Sequence, residues 1–335
     1  MQAIDADQFD KCAQDLEANG YALLPLPSKI RTSISNSFET ARTAISSISA
    51  ENDSTINVPM IDPVTDSANW TGYHCATERN GRYNKFREGF VFSNGEMFDV
   101  ECKSGGGCSD QKQGPVANFG NQMIDMFHIM HNVIADGMLQ AIERRLQLPR
   151  YYFRDEMGPA EKASQWHLKR YDVDAFLDSH EGLGSNEILP VHTDPSLISV
   201  VILDVRGVNA GGMGLQVFHP KNSTWKEISH HGHGITIIFV GSVLSHLTKS
   251  QLYPAAKHKV VQWWTDGSPM GSQIDSNKHQ RVAATLFVRP QADALMKPLP
   301  SPLLQFDGAV KKCVTFRQWN ARVARNYMKR KKQTT

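Results

Sequence analysis

The sequence predicts an α+β protein with a mainly β core, its helices gathered in the first half and an antiparallel sandwich or barrel in the second. Three observations carry that expectation. Up to about residue 148 the clearest apolar patterns recur at helical spacing. From about residue 163 the period changes to two, the signature of strands whose side chains alternate between faces. The short strands that follow are separated by Gly, Pro and Asn turns with no helical pattern between them, which favours antiparallel pairing over a βαβ arrangement.

Taken in order, residues 7–18 form a short amphipathic helix, with Phe9, Cys12, Ala13 and Leu16 on one face. Asn19-Gly20 stops it, and Tyr21 to Leu26 is a strand ended by prolines. A second helix runs from about 28 to 47 on Ile30, Ile34, Phe38 and Ala41. The segment from about 49 to 117 is polar and glycine-punctuated, and a loop of that length in a compact domain tends to be functional or disordered. Between 73 and 92 it interleaves cationic and aromatic residues, which disfavours simple disorder. Residues 119–148 carry the widest helical stripe in the chain, from Met123, Met126 and Phe127 through Met130, Ile134 and Met138 to Ile142, and form a scaffold helix. The period-two runs begin at Trp166-His167-Leu168-Lys169-Arg170-Tyr171. They continue through the His192 segment, 215–218, 225–228, 235–240, 258–261 and 282–288. A last helix covers about 315–329. The chain is expected to form one unit over 1–335, with a helical and loop region to 160, the β core over 161–295, and a C-terminal helix and basic tail over 296–335.

Composition narrows the function classes. With 40% hydrophobic and 21% charged residues and a formal net charge of +2, there is no charge excess to imply a nucleic-acid partner. The Lys329-Arg330-Lys331-Lys332 run reads as a solvated tail. No span approaches the roughly 20 apolar residues of a membrane helix, and no basic-then-apolar leader opens the chain. Five scattered cysteines fit a reducing, cytoplasmic compartment better than a disulfide framework. Cys102 and Cys108 flank a glycine-rich loop and read as free thiols, with a bridge the alternative.

The chemistry centres on Val191-His192-Thr193-Asp194-Pro195, which enters the apolar run 196–203. A histidine and a carboxylate two residues apart on a strand share one face, and supply two of the three ligands of a facial iron triad. The third must be a histidine from another strand. Of the 13 histidines, His258 opens an apolar strand; His246 is its rival, and His230, His231 and His233 cluster in one turn. Arg281 begins the strand Arg281-Val282-Ala283-Ala284-Thr285-Leu286-Phe287-Val288. A planar guanidinium there suits bidentate capture of a carboxylate.

In this order, His192-x-Asp194, His258 and Arg281 resemble the iron(II)/2-oxoglutarate-dependent dioxygenases, and more closely their isopenicillin N synthase-like branch. Met213-Gly214-Leu215-Gln216-Val217, Gly241-Ser242 and Lys169-Arg170-Tyr171 are similar to segments of that branch, and the resemblance spans most of residues 5–325. It implies a double-stranded β-helix (jelly-roll) core with Fe(II) on His192, Asp194 and His258. It also implies 2-oxoglutarate and O2 as cosubstrates, with ascorbate as a reductant, and succinate and CO2 as coproducts. Arg281 would hold the distal carboxylate of the oxo acid and Tyr171 would donate a phenol hydrogen bond. Ala283 stands where the family has a serine, which removes one hydrogen bond; Thr285 or Tyr171 would have to compensate. An intact Asp194 argues against halogenation. The loop and first β strand offer Tyr73, Arg79, Arg82, Arg87, His167 and Lys169 to a small, anionic, amino-acid-like substrate. Hydroxylation, desaturation and oxidative ring closure share these ligands. An oxidase on the same scaffold that uses no 2-oxoglutarate, and a jelly-roll binding module without turnover, are the competing readings. The resemblance carries no expectation of a nucleic-acid or membrane partner, and the chain is expected as a monomer or weak homodimer.

Overall fold

A computed structural model describes residues 4–49, 56–57, 71–74, 86–93, 101–102, 119–171, 187–205, 213–219, 222–228, 234–262, 281–305 and 313–333. The first helix, α1 (Ala6–Asn19), opens on a capping box: the Asp5 side chain accepts from the Asp7 backbone, and the Gln8 side chain accepts in return from the Asp5 backbone. It closes on Gly20, whose φ of 79° is the left-handed conformation a C-terminal cap needs. Strand β1 (Tyr21–Pro25) and helix α2 (Ser28–Ser49) follow as the apolar spacing dictates. The 119–148 stripe is divided into α3 (Phe119–His128), a π-helical segment Ile129–Ala135 and α4 (Asp136–Arg145). The widened π turn rotates the stripe without breaking it, since Met130, Ile134 and Met138 all stay buried. A short helix α5 (Tyr152–Met157) leads to the sheets.

Short strands precede and follow these helices: β2 (Ile56–Asn57), β3 (Gly72–His74), β4 (Arg87–Ser93) and β5 (Glu101–Cys102), then β6 (Gln165–Tyr171), β7 (Glu187–His192) and β8 (Ile198–Val205). Next come β9 (Met213–His219), β10 (Thr224–Glu227), β11 (Ile235–Val240), a one-and-a-half-turn helix α6 (Ser242–Leu247), β12 (His258–Gln262) and β13 (Arg281–Val288). The chain ends in α7 (Phe316–Gln333). A seven-stranded sheet has the order β1-β11-β8-β13-β6-β4-β3 and a four-stranded sheet the order β10-β9-β12-β7; β2 and β5 pair separately. All the described pairings within these sheets are antiparallel. The helix α6 interrupts what the sequence presents as an unbroken series of strands.

Alternation along the strands of the large sheet builds two separate cores. Its outer face (Trp166, Leu168, Val200, Ile202, Ile238, Val282, Ala284 and Leu286) packs under the helices, with Met123, Met126, Met130 and Met138 in the same cluster. Its inner face (Tyr171, Val201, Leu203, Ile237, Phe239 and Ala283) meets Leu189, Leu215, Val217 and Val260 of the small sheet. The second cluster is the interior of the barrel, and it contains Tyr171 and Ala283 of the sequence-nominated residues.

Candidate metal centre

His192 and His258 are brought together by one pairing. They sit directly opposite each other where the end of β7 meets the start of β12, so their side chains leave the small sheet on the same face. Their ring centroids are 4.2 Å apart, and Phe239 of the opposite sheet stacks on His258 at 4.5 Å with the rings 8° from parallel. Asp194 is not on that strand. The sequence expectation that His192 and Asp194 share one strand face gives way here: β7 ends at His192, and Asp194 lies in the connection that carries the chain across to β8 in the other sheet. The proline that follows Asp194 disfavours a helical conformation at that residue. Its backbone carbonyl is then pinned by Ser242 at the start of α6, which donates from both its backbone N–H (2.7 Å) and its hydroxyl (2.9 Å).

The result is a compact donor set. One ligand atom from each of His192, Asp194 and His258 lies within 4.8 Å of the others. The Nε2 atoms of His192 and His258 stand 3.7 and 3.8 Å from Asp194 Oδ1 and Oδ2. Each imidazole is oriented from behind: His192 Nδ1 is 2.8 Å from the Pro190 carbonyl and His258 Nδ1 is 3.1 Å from the Ala256 carbonyl. A carbonyl only accepts, so Nδ1 carries the proton in both rings, and the Nε2 lone pairs point toward the carboxylate. Burial, followed by the neighbouring His258, pulls the His192 pKa down to about 3, which keeps that ring a neutral ligand. Asp194 is 4% exposed, and among the described residues its Oδ2 has no hydrogen-bond partner. Two imidazoles presenting Nε2 and a buried, under-satisfied carboxylate oxygen fit a divalent ion of the Fe(II) type.

The rival histidine is placed elsewhere. His246 is exposed on α6 against Trp319, 5.5 Å away. His230, His231 and His233 lie outside the described residues, as do Arg79, Arg82 and Cys108.

Arg281 lies on the inner face of β13, opposite Tyr171 of β6, with its guanidinium carbon 5.2 Å from the Tyr171 ring. It is buried, and among the described residues its Nε and Nη1 have no hydrogen-bond partner. Burial lowers its pKa, against the pull of Tyr171 and Glu227, without discharging it. A buried guanidinium with open donors has the geometry to accept a carboxylate. Ala283 is buried on the same face, next along the strand. Arg87, opposite Tyr171 on its other side, shares this face, as do His167 and Lys169. Tyr73 does not. It pairs with Phe90 on the outer face, is fully buried in the helix-side core and donates its hydroxyl to Glu88 at 2.9 Å.

Sequence reasoning passed over Arg289, although alternation from Arg281 puts it on the inner face just beyond β13. Its guanidinium carbon is 5.6 Å from the Phe287 ring, its Nε is buried, and desolvation pulls its pKa down to about 10 against the attraction of Asp194. Arg87, Lys169 and Arg281 therefore give the inner face of the large sheet three cations, with Arg289 just beyond the end of β13, and no acid stands on the described strands of that face. A separate cavity of about 270 Å³ lies on the helix side among His131, Glu143, Arg154 and Arg289; none of the three metal-site residues lines it. None of the described helices is long and apolar enough to cross a membrane.

No protein-family model matches the chain. No curated relative is detected either. Solved structures do match. A full-length Neurospora crassa protein, solved in complex with alpha-KG (2-oxoglutarate), is 14% identical, over 95% of this chain and 90% of that one, with a TM-score of 0.61. The rice dioxygenase for auxin oxidation is 15% identical, over 96% and 91%, with a TM-score of 0.62. JOX2, solved with 2OG, Fe and JA, is 14% identical, over 93% and 79%, with a TM-score of 0.61. At these identities the likeness shows the fold, a jelly roll of the kind found in 2-oxoglutarate/iron(II) oxygenases.

Proposed function

We propose that this chain is an Fe(II)- and 2-oxoglutarate-dependent oxygenase acting on an unactivated C–H bond of a small, carboxylate-bearing metabolite. The observation that carries the reading is the pairing, at one barrel interior, of a His-Asp-His donor set with a buried guanidinium whose donors are open. When bound, Fe(II) supplies the redox chemistry that couples reduction of O2 to loss of CO2 from the oxo acid and to oxidation of the substrate. For hydroxylation the balance is R–H + 2-oxoglutarate + O2 → R–OH + succinate + CO2, one oxygen atom entering each organic product.

The chain's own residues bind and orient. His192, Asp194 and His258 would hold the ion at the barrel interior. Arg281 takes the distal carboxylate bidentately, and Tyr171, packed on that guanidinium, restricts its swing. The apolar wall of Leu203, Ile237, Phe239 and Val260 keeps bulk water from the reacting centre. Three cations on the inner face, Arg87, Lys169 and Arg281, with no acid on the described strands of the same face favour an anionic substrate beside a dianionic cosubstrate. Hydroxylation, desaturation and oxidative cyclisation, the last typical of specialised metabolism, all use this donor set and differ in where the substrate's C–H bond is held.

The test is anaerobic addition of Fe(II) and 2-oxoglutarate, followed by visible absorption. Wild type should develop the charge-transfer band of the chelate, Asp194→Ala should lose it and Arg281→Ala should need far more oxo acid. A wild-type spectrum that does not change on adding 2-oxoglutarate would sink the reading.

A further inference from the structure

Arg289, just beyond the end of β13, has a fixed backbone and an unanchored head. Leu197 N–H donates to the Val288 carbonyl at 2.8 Å, and the Arg289 N–H donates to the Ser164 hydroxyl at 3.3 Å. Its Nε is buried and, among the described residues, has no hydrogen-bond partner; no described carboxylate stands within ion-pair distance of the guanidinium. An enclosed donor without a partner is costly to keep. The side chain forms part of the wall of the helix-side cavity of about 270 Å³, just under the roughly 300 Å³ at which small-molecule pockets begin.

The rest of that wall is of two kinds. Leu139, Phe153, Met157 and Leu197 are buried and apolar. Asp136 and Glu143 are acids already held by the protein's own donors: Glu143 Oε2 and Oε1 accept from the Tyr151 and Phe153 N–H groups at 2.9 and 3.0 Å, and Asp136 accepts from the Gln140 side chain at 2.7 Å. The π-helical segment, a rare irregularity that recurs at functional sites, supplies Asn132 and Ala135 to the same wall. We infer that this cavity is a second ligand site, for a small monocarboxylic acid with an apolar body, the carboxylate pairing with Arg289 and the body lying against Leu139, Phe153, Met157 and Leu197. A planar carboxylate matches the guanidinium fork, and the nearby Asp136 and Glu143 disfavour a dianion. None of His192, Asp194 and His258 lines the cavity, so this acid is not the molecule presented to the metal, and the inference does not depend on the proposed function.

Calorimetric titration of the full-length protein with 3-phenylpropionate, and with 3-phenylpropanamide and 3-phenylpropylamine as its neutral and cationic counterparts, tests the site, with thermal unfolding checked for every variant. Wild type should bind the acid, and the amide and amine at least about tenfold more weakly. Arg289→Met keeps the stem, removes the charge and should weaken acid binding about ten- to hundredfold, the value of a charge-assisted hydrogen bond. Arg289→Lys, which keeps the charge without the fork, should fall between the two. Ala160→Phe, which fills the cavity from another part of its wall, should weaken the acid with Arg289 intact. Arg281→Ala should bind the acid as wild type does, because Arg281 does not line this cavity. Failure of wild type to bind the acid, amine binding as tight as acid binding, or unchanged acid binding in Arg289→Met or in Ala160→Phe each overturns the inference. Acid binding lost in Arg281→Ala and kept in Arg289→Met would put the acid in the barrel and overturn it as well.

Discussion

His258 is buried and His192 and His167 are half-buried, and the three imidazoles have different duties. The first two face Asp194 with their Nδ1 protons fixed on backbone carbonyls, so both are held in the ligand tautomer before any ion arrives. His167 lies edge-on to Phe287 at 4.8 Å, and its pKa falls well below the ordinary range through burial first and then through Lys169 and Arg87. A histidine held neutral in the fold is protonated more readily in the unfolded chain, whose pKa is near 6.5. The unfolded state then binds the extra proton as pH drops, so the stability contributed above about pH 6.5 is lost progressively below it. The metal-free protein should therefore show a falling urea midpoint between about pH 7.5 and 5, and His167→Gln should flatten that slope. An unchanged slope in the variant would mean that His167 titrates normally in the fold.

The element that makes the site is the passage from β7 to β8. The strands it joins belong to different sheets, and Asp194 is fixed only because the passage is stapled to the start of α6. Ser242 makes two bonds to the Asp194 carbonyl, Gly241 N–H donates to Leu197 at 2.9 Å and Val243 N–H to Ser196 at 3.0 Å. Gly241 packs so closely that a Cβ would stand 1.9 Å from the Ser196 carbonyl oxygen. Ser242→Ala should cost about 1 kcal/mol in unfolding free energy and weaken Fe(II) binding about tenfold, because it loosens the carboxylate's backbone. Gly241→Ala should cost more on both measures, since backbone rather than a flexible side chain must give way. Metal affinity in Ser242→Ala equal to wild type would show that Pro195 and the backbone bonds suffice.

Across the whole molecule, the large sheet separates two environments: helices and methionines on one side, chemistry on the other. Helix α2 is anchored to the outer face by the buried pair Arg42–Asp204, and β6 to β4 by Arg170–Glu88. The Asp204 side chain is 2% exposed, so removing its arginine leaves a costly buried charge. Arg42→Leu should lower the unfolding free energy by about 3 kcal/mol. It should leave the 2-oxoglutarate dissociation constant unchanged, because Asp204 and Ala283 face opposite sides of the sheet. A change in that constant with no change in stability would contradict the two-sided partition.

The sequence by itself determined the elements and most of the donors. Period-two runs located β6 and β8 to β13 to within about two residues but left β3, β4 and a separate β7 unmarked; Asn19-Gly20 ended the first helix, and His192, Asp194, His258 and Arg281 stood out by type and order. These features are local: they follow from the side-chain pattern along one stretch of chain. Only the tertiary structure decided that His192 and Asp194 occupy different parts of a crossover, that His258 rather than His246 stands opposite His192, and that Tyr73 turns to the helices. It also brought Lys169 opposite Ala283 and Arg289 toward Asp194. Each of these depends on the register between strands remote in sequence. A shift of one residue there exchanges core face for barrel face, and composition and spacing along a single strand carry no record of it.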